Sequence, residues 1–580
     1  MLQIENLSKS YGGVLLFDGV SFSLQKGEKC ALVGRNGSGK TTLFRILKGE
    51  ESADSGSILL PKGYKLGFLD QHLEFKAPTV WEEALRDLPP EKPEYEVESI
   101  LFGLGFDKEL LEKPPEVLSG GYHLRLKLAK VLSQQPDCLL LDEPTNYLDI
   151  VSLRWLERYL KNWRKECIFI SHDRDFLNGL VSHTMGFHRK CLKKVAGGLE
   201  EFYQKIVEEE EIYEKTRQSI EKKKEHLEDY IRRFGAKASK ATQAQSKAKA
   251  LEKIPSLTKL AALENLSFHF EYSPFSGKKM ISLDHADFHY QEDKPLIQGV
   301  SCDIEKGQKI AIIGKNGMGK STLLQLISGD ISPTKGSYSC SSSLKKGIFG
   351  QTHILKLDLD QTIEEAISSA NRNLPYAKVR AICGQMLFSQ DAAKKRISLL
   401  SGGERSRVLL GQILATPTNI LLLDEPTHHL DLESIEGLME ALESYEGAIV
   451  LVTHSEWMLE RMNPDLLIVF DENRQKVFLG NYPEFLEKEG WQEPSLKKAK
   501  PKQAPVKNKE PSTSSLEKEI ERMEASIETL ETKNKQLETK LALVYEEPTA
   551  KEIAALHQEI EKLYQNLEKK YQELASYKKK

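Results

Sequence analysis

Short runs of apolar residues recur along the chain, each followed by polar or glycine-rich residues. Residues 139–141, 448–452 and 466–470 are examples. These runs are far shorter than the roughly 18 apolar residues of a transmembrane helix, so they predict buried strands. Stretches with helical character separate them over residues 1–200 and again over 266–492. Strands that alternate with helices are typical of α/β domains, and we predict one such domain in each range.

Residues 201–265, between the two domains, have a different pattern. No proline occurs from 200 to 253, and an acidic run at 208–211 is followed by lysines at 222–224 and a basic stretch at 231–250. The alanine, lysine and glutamine of that stretch favour helix. We predict a helical hairpin with its turn near Gly235. A first arm of about 30 residues would reach roughly 45 Å.

The C-terminal part of the chain has two further patterns. Residues 494–513 contain four prolines and six lysines, too little apolar surface to pack, so we predict a flexible tether at 493–514. Apolar residues then recur at 3-4 spacing on either side of Glu547, Pro548 and Thr549, with Asn534 in the apolar seam. This spacing predicts an antiparallel coiled-coil hairpin at 515–580.

Two sets of nucleotide-binding motifs follow one another in the same order. Residues 34–41 and 314–321 both match G-x-x-x-x-G-K-[S/T], in which backbone N–H groups surround phosphates at a helix N-terminus. Each set continues with Leu-Ser-Gly-Gly, an apolar run ending in Asp-Glu, and a histidine. Lys40 and Lys320 are 280 residues apart, and Glu143 and Glu425 are 282 apart. The chain therefore contains an internal repeat.

The motif residues have distinct predicted roles. Lys40 and Lys320 add a cation for the β- and γ-phosphates, and the hydroxyls of Thr41 and Ser321 bind Mg²⁺. Asp142 and Asp424 hold the magnesium through water, whereas Glu143 and Glu425 polarise the attacking water. His172 and His454 are candidate γ-phosphate sensors. Tyr11 and Tyr290 are candidates for stacking on adenine, with packing in the core as the alternative. Gln71 and Gln351 complete the candidate metal ligands.

The candidate site residues fall into two matching sets. The candidate ATP-binding residues of the first set are Tyr11, Gly34, Asn36, Gly37, Ser38, Gly39, Lys40, Thr41, Thr42, Gln71, Ser119, Gly120 and Gly121. Those of the second set are Tyr290, Gly314, Asn316, Gly317, Met318, Gly319, Lys320, Ser321, Thr322, Gln351, Ser401, Gly402 and Gly403. The expected reaction is hydrolysis of ATP to ADP and phosphate, with Mg²⁺.

With Leu-Ser-Gly-Gly at 118–121 and 400–403, the chain resembles the ATP-binding cassette superfamily. That resemblance implies that the Ser-Gly-Gly of one domain caps the γ-phosphate held by the other. Lys40, Glu143 and His172 would then face residues 401–403. Lys320, Glu425 and His454 would face residues 119–121. The expected fold is α/β: two P-loop ATP-binding cassette domains joined by an α-helical hairpin linker, with a C-terminal antiparallel coiled coil.

Twin cassettes joined by a linker with the basic stretch 232–247 closely resemble the ABC-F translation factors. The resemblance implies a cytoplasmic monomer, its cassettes paired within the chain, that binds 50S or 70S ribosomes at the E site. It also implies that the linker approaches P-site tRNA and the peptidyl-transferase centre. The expected contacts with tRNA and rRNA are made by Arg232, Arg233, Lys237, Lys240 and Lys247. The basic stretch 231–250 has six Lys or Arg and no acid, which suits phosphate, although a solvated helix face is the alternative.

Composition narrows the choice of function only slightly. The net charge of −4 neither indicates nor excludes nucleic-acid binding. Seven cysteines without a Cys-x-x-Cys pair predict neither a disulfide framework nor a zinc site, and residues 1–5 do not look like a secretory signal. Two alternatives to the ribosomal interpretation are a DNA-associated ATPase that acts through the coiled coil and, less favoured, a cytosolic ATPase of a separate membrane transporter.

The repeats differ from each other and from the family pattern. Glu404 follows the second signature, where the first has Tyr122 and His123. His428 occupies the place of Asn146, and Ser455 the place of Asp173. We therefore expect unequal ATP sites, with the slower one built on Lys320, Glu425 and His454. The gap from Gln71 to Ser119 nearly equals that from Gln351 to Ser401, so no long arm is inserted in the first cassette. The coiled-coil tail suggests a sub-group in which it binds ribosomal RNA or DNA. Self-packing or oligomerisation is an equally good interpretation of this tail.

Overall fold

Two copies of one α/β arrangement follow each other along the chain. The computed structural model describes residues 2–69, 75–86, 88–89, 93–234, 266–290, 295–428, 430–471 and 474–491. These residues all belong to one compact unit, Met1–Pro494. Gln71, the linker turn and its second arm, the tether and the coiled coil lie outside the described residues, as do Lys237, Lys240 and Lys247. Arg232 and Arg233 are described as backbone only.

Cassette 1, the first copy, comprises nine strands and seven helices in its described part. The strands are β1 Gln3–Tyr11, β2 Val14–Ser23, β3 Lys29–Val33, β4 Ser55–Leu59, β5 Leu66–Phe68, β6 Cys138–Asp142, β7 Glu166–Ile170, β8 His183–His188 and β9 Cys191–Ala196. The helices are α1 Lys40–Lys48, α2 Val80–Leu85, α3 Glu94–Gly103, α4 Lys108–Leu111, α5 Gly120–Gln134, α6 Ile150–Lys161 and α7 Arg174–Asn178. Helix α8 Leu199–Phe234 begins the linker.

Cassette 2 repeats this order after the linker. Its strands are β10 Lys279–Phe288, β11 Ile297–Glu305, β12 Lys309–Gly314, β13 Lys335–Cys340, β14 Lys346–Phe349, β15 Ile420–Asp424, β16 Ala448–Val452, β17 Leu466–Asp471 and β18 Arg474–Leu479. Its helices are α9 Lys320–Ser328, α10 Gln351–Leu355, α11 Ile363–Ala370, α12 Tyr376–Gln385, α13 Gly402–Leu414, α14 Leu432–Glu443, α15 Glu456–Met462 and α16 Tyr482–Lys488.

Each cassette contains a six-stranded main sheet and a three-stranded antiparallel sheet. The main sheets have the orders β5-β6-β7-β3-β8-β9 and β14-β15-β16-β12-β17-β18, and the small sheets β2-β1-β4 and β11-β10-β13. The main-sheet strands pair in parallel except at the edge pairs β8–β9 and β17–β18. The carboxyl ends of the parallel strands meet at one edge, where α/β proteins bind their ligands.

The apolar runs of the sequence are buried on both faces of the main sheets. In β6, Leu139 and Leu141 face a core formed with the helices, whereas Cys138 and Leu140 face the small sheet and α1. A strand covered on both sides has no polar alternation, which explains its continuous apolar sequence. None of the helices in the described part of the chain combines the length and apolar surface that a bilayer crossing requires.

The linker helix α8 begins inside the body of cassette 1. Its first turns bury Leu199, Phe202 and Ile206 in the core beside the main sheet. A Cβ at Gly186 of β8 would lie 2.3 Å from the Phe202 ring, so this strand position needs glycine. The predicted linker start at residue 201 thus falls just inside a helix that begins at Leu199.

The backbone at Leu266 crosses a helix of cassette 2 at close range. A Cβ at Gly437, in the middle of α14, would lie 2.1 Å from the backbone oxygen of Leu266. Helical glycine normally costs about 0.5–1 kcal/mol relative to alanine. At this position the close backbone crossing explains its use.

We predict that Gly437→Ala lowers the free energy of unfolding by about 1–3 kcal/mol, because the backbone at Leu266 must move to admit the methyl group. Gly384→Ala in α12 is the matched control, since a Cβ there meets nothing within 4 Å. The control should be neutral or stabilise by about 0.5–1 kcal/mol through its helix propensity. Urea unfolding of both variants measures the difference. Equal midpoints would show that the crossing does not constrain residue 437.

Candidate functional site

Each P-loop connects the central strand of a main sheet to a helix. In cassette 1 it follows β3, and α1 begins at Lys40 directly after Gly39, whose φ is 101°. Gly319 has a φ of 99° before α9. A side chain at either glycine would be strained and would also crowd Phe17 or Leu296. The loop thereby directs N–H groups at a helix N-terminus toward one point, an arrangement suited to phosphate.

The P-loop lysines are buried under their own loops. Lys40 Nζ donates to the Gly34 oxygen at 2.5 Å and the Arg35 oxygen at 3.1 Å. Lys320 Nζ donates to Gly314 at 3.0 Å and Lys315 at 2.9 Å. Burial lowers the pKa of both lysines, and Glu143 or Glu425 partly opposes that effect. Each P-loop thus holds a lysine cation. A bound phosphate could accept the hydrogen bonds that the lysine now donates to backbone oxygens.

Each Asp-Glu pair lies at the carboxyl end of a buried strand, beside the P-loop. The Thr41 hydroxyl donates to the Asp142 carboxylate at 3.0 Å. Burial raises the pKa of Asp142, and the Thr41 bond opposes it; Asp424 has the same relation to Ser321. A hydroxyl and a carboxylate at this distance fit Mg²⁺, which takes its other ligands from water and phosphate. In the described part of the chain no three His, Cys, Asp or Glu side chains converge as a metal site.

The glutamates that follow have unusual backbone and protonation. Glu143 and Glu425 adopt φ values of 49° and 45°, rarely seen for non-glycine residues. Burial raises the pKa of each to about 8, and the neighbouring Asp142 or Asp424 adds to this effect. His172 Nε2 lies 3.4 Å from Glu143 Oε1, and His454 Nε2 lies 3.4 Å from Glu425 Oε1. Once ionised, a carboxylate with a raised pKa beside the phosphate site is a stronger base toward water than an ordinary one.

Burial also determines the charge of the two histidines. It lowers the pKa of His172 to about 3, and it lowers the pKa of His454 well below its usual value. Both rings are therefore neutral at physiological pH. A neutral imidazole can donate a hydrogen bond to a phosphate oxygen without adding charge.

Two clefts of similar size lie between the cassettes. The first, of about 400 Å³, is lined by Lys40, Thr41, Asp142, Glu143 and His172 together with Ser401, Gly402 and Gly403. The second, of about 390 Å³, is lined by Lys320, Ser321, Asp424, Glu425 and His454 together with Ser119 and Gly121. The structure thus brings the P-loop of each cassette to the signature of the other. A smaller cavity of about 60 Å³ is lined by Glu143, Glu425, His172 and His454.

Most other candidate residues also line these clefts. Tyr11, Asn36, Gly37, Gly39 and Thr42 line the first cleft, and Asn316, Gly317, Gly319, Thr322 and Gln351 line the second. Gly34, Ser38, Gly120, Gly314 and Met318 are not among the lining residues. Gly34 and Gly314 act through their carbonyls on the lysines, and Met318 packs against the core of cassette 2.

The two adenine candidates differ in position. The Tyr11 hydroxyl hydrogen-bonds Glu51, and its ring is at the first cleft. Tyr290 is 68% exposed and packs edge-on against Phe288. In the described lining of the second cleft, Leu296 occurs and Tyr290 does not.

Two aspartates that the motif analysis missed connect the cassettes. The Asn36 N–H donates to Asp431 Oδ2 at 3.1 Å, and the Asn316 N–H donates to Asp149 Oδ2 at 3.3 Å. Each aspartate also caps a helix, by accepting from Ser434 or Ser152 at 2.9 Å. Burial alone would raise the pKa of Asp149, but Arg125 and these N–H donors hold it at about 2. The repeated Leu-Asp after Asp-Glu-Pro-Thr, again 282 residues apart, was the available signal.

The signature helices begin differently at the two clefts. Ser401 and Glu404 form a reciprocal capping box at the start of α13. At the start of α5 the Tyr122 hydroxyl instead donates to the Gly105 oxygen at 3.3 Å, and His123 Nε2 lies 2.7 Å from the Pro115 oxygen. The predicted difference between the repeats therefore has a structural counterpart.

Two composite P-loop sites, each closed by the partner's Ser-Gly-Gly, define a twin-cassette nucleotide-binding protein. A family model described as ABC transporter matches residues 17–146 and 297–428, and a second model of that description matches 185–270. The chain is 33% identical to the putative ATP-binding protein YdiF of Bacillus subtilis, over 84% of this chain and 83% of that protein. It is 32% identical to ATP-binding cassette sub-family F member 3 of Mus musculus, over 80% of this chain and 71% of that protein.

The fold has a counterpart among solved structures. Archaeal ribosome recycling factor aABCE1, in complex with ribosomal stalk protein aP1, superposes with a TM-score of 0.56 at 20% identity, over 82% of this chain and 90% of that one. At this identity the likeness concerns the fold. Taken with the sequence relatives, the chain belongs to the ABC-F family of twin-cassette proteins, and it is an ATP hydrolase.

We predict that Glu143→Gln stabilises the nucleotide-free protein increasingly as pH rises. Between pH 4.5 and about 8 the buried glutamate keeps its proton in the folded state and loses it on unfolding. The unfolded state therefore binds fewer protons, and the free energy of unfolding falls with pH. Glutamine removes that loss, so the gain over wild type should grow by about 1–3 kcal/mol from pH 5 to pH 7.5.

Urea unfolding at several pH values measures this gain, and Glu116→Gln, at an exposed position of the same cassette, is the control. A gain for Glu143→Gln that is constant with pH would show that Glu143 is ionised in the folded protein throughout.

Proposed function

We propose that this protein is a ribosome-associated ATPase that binds the ribosome with its cassettes closed on ATP and leaves after hydrolysis. In this proposal the linker enters the E site, approaches P-site tRNA and so modulates translation. The observation that carries the proposal is that the start of the linker helix α8 packs into the core of cassette 1, beside the first ATP site. The helix has 36 residues, so it is about 54 Å long, and its last four residues, 231–234, are the first of the basic stretch.

In the proposed reaction the two cassettes share each ATP. The P-loop N–H groups and Lys40 hold the phosphates, the opposite Ser401–Gly403 segment closes on the γ-phosphate, and His172 donates to it. Glu143 orients the attacking water and takes its proton as the phosphate is released. Mg²⁺ would be held through Thr41 and Asp142 and would neutralise charge on the β- and γ-phosphates. Loss of the γ-phosphate removes contacts from both cassettes, which allows opening.

A short series of contacts leads from the first ATP site to the linker. The ring of Phe187 stacks on Phe17, and its Cβ borders Gly34 of the P-loop. The next residue, His188, lies 2.9 Å from Glu210 of α8, and Arg189 lies 2.7 Å from the same carboxylate. These contacts support a linker whose orientation follows the state of the cassette.

The chemistry of the linker supports an RNA partner. The stretch 231–250 includes Arg232, Arg233, Lys237, Lys240 and Lys247 and has no acidic residue. Such a segment binds phosphate in a strongly salt-dependent way. An archaeal ribosome recycling factor has the same twin-cassette fold, so a protein of this architecture is known to act on ribosomes.

We further propose that the site built on Lys320, Glu425 and His454 hydrolyses more slowly. His428 Nε2 lies 3.9 Å from the Glu425 carboxylate, and its Nδ1 lies 3.2 Å from Gln351 Nε2. The first site has Asn146 at this place. When protonated, an imidazole at this distance stabilises the ionised carboxylate and so weakens it as the base that accepts the proton of water.

We expect Glu143→Gln to remove most of the ATPase activity and Glu425→Gln less than half, since loss of a general base lowers the rate at its own site by about 10²–10⁴-fold. Steady-state phosphate release measures both. His428→Asn should raise the share lost on Glu425→Gln. Equal losses in the two single variants would contradict the proposed inequality.

For the ribosomal role we expect the Glu143→Gln, Glu425→Gln variant with ATP to co-sediment with 50S or 70S particles. Substituting Arg232, Arg233, Lys237 and Lys240 by glutamine should weaken binding and reduce the slope of log affinity against log salt by up to about 3. The control replaces four exposed lysines of cassette 2, Lys278, Lys306, Lys335 and Lys356. A trapped variant that remains free of ribosomes while retaining duplex DNA would refute the proposal.

A further inference from the structure

Two ion pairs join cassette 1 to cassette 2 near the small interface cavity, which Arg174 itself lines. Arg154 of α6 forms a bidentate pair with Glu456 of α15, with N–O distances of 2.6 and 2.8 Å. Arg174 of α7 pairs with Glu436 of α14 at 2.7 Å. In both contacts cassette 1 supplies the cation and cassette 2 the anion.

The internal repeat makes these two pairs one contact that occurs twice. Arg154 and Glu436 are 282 residues apart, as are Arg174 and Glu456, and 282 is also the spacing of the catalytic glutamates. Arg154 and Glu436 therefore occupy equivalent positions, and so do Arg174 and Glu456. The pseudo-twofold relation between the cassettes therefore maps one contact onto the other. Positions that are basic in cassette 1 are acidic in cassette 2.

Neighbouring side chains hold these groups in place. The Trp457 ring lies close to the guanidinium groups of both Arg174 and Arg461, at 5.0 and 5.1 Å. Arg461 also pairs with Glu436. The backbone N–H of Trp457 donates to Asp175 Oδ2 across the interface at 2.7 Å. The ionic side chains of the two pairs are 22–34% exposed, so water screens them only partly.

Pairing of like cassettes would reverse the sign of both interactions. Two copies of cassette 1 in the same geometry would place Arg154 against Arg174 twice, and two copies of cassette 2 would place Glu436 against Glu456 twice. We propose that this exchange of charge selects cassette 2 as the partner of cassette 1 and prevents ATP from joining like cassettes of two chains. The linker supplies proximity, and the charges supply the choice of partner.

A third ion pair at the interface does not distinguish cassette 1 from cassette 2 as the partner in this way. Arg35 of the first P-loop pairs with Glu433 at 2.7 Å. The positions equivalent to these are Lys315 and Val151. A pair of two cassettes 2 would thus retain a lysine opposite Glu433. The choice of partner rests on the two charge-exchanged pairs, and it holds with or without the ribosomal role.

The test exchanges charge at one position of each contact. In the double variant Arg174→Glu, Glu456→Arg, both native contacts become repulsive, whereas like cassettes of two chains become complementary. Arg154 of one chain then faces the acidic side chain introduced at position 174 of the other, and Glu436 faces the basic side chain introduced at position 456. In the trapped Glu143→Gln, Glu425→Gln background, light scattering with ATP at low salt should give twice the 65.7 kDa chain mass. Arg154→Glu, Glu436→Arg inverts the preference in the same way and is an independent second variant.

The matched control exchanges all four charges: Arg154→Glu, Arg174→Glu, Glu436→Arg and Glu456→Arg. It has the same net charge as the test variants and restores both native pairs, so in the trapped background it should have the one-chain mass. Without the trapping substitutions its ATPase activity should equal that of wild type within about threefold. Thermal unfolding without ATP checks that each variant is folded. A one-chain mass for both double variants, or a two-chain mass for the fourfold variant, overturns the proposal.

Discussion

The structure depends on one reciprocal contact, in which an aspartate of each cassette accepts a hydrogen bond from the P-loop of the other. Asp149 and Asp431 also cap the N-termini of helices α6 and α14. The helix that each aspartate caps therefore fixes its position at the interface. Neither cassette alone forms a complete phosphate site, because the Ser-Gly-Gly segments also come from the opposite side. Each phosphate site is therefore complete only where the two cassettes meet.

The glutamates and histidines beside the P-loops are held in an arrangement that costs the folded state stability. Glu143 and Glu425 combine a left-handed backbone with a carboxyl whose pKa burial raises to about 8. Their neighbours His172 and His454 are kept neutral, also by burial. Both effects arise because the glutamates and histidines of the two sites surround one small cavity at the interface. Burial of these groups thus costs stability. In the proposed mechanism, the same burial makes each glutamate a stronger base toward water once it is ionised.

Much of the site was predictable because its residues belong to motifs that occur twice. Lys40, Thr41, Asp142, Glu143 and His172 follow strands or loops whose ends meet at one sheet edge, so linear order already placed them together. Asp149 and Asp431 were missed because an N-cap aspartate is common, and its second partner lies 167 or 395 residues away. Tyr290 was expected to stack on adenine by analogy with Tyr11. Its ring packs on Phe288, and Leu296 lines the second cleft as Leu16 lines the first.

The sequence by itself determined the twin α/β cassettes, the chemistry of each P-loop and the basic linker, because these depend on local periodicity and short motifs. The tertiary structure alone decided which groups meet across the interface. It placed Arg154 against Glu456 and Arg174 against Glu436, and it rooted α8 beside the first ATP site. Such contacts join residues far apart in the chain and depend on the packing of whole domains. They therefore cannot be predicted from a local sequence pattern.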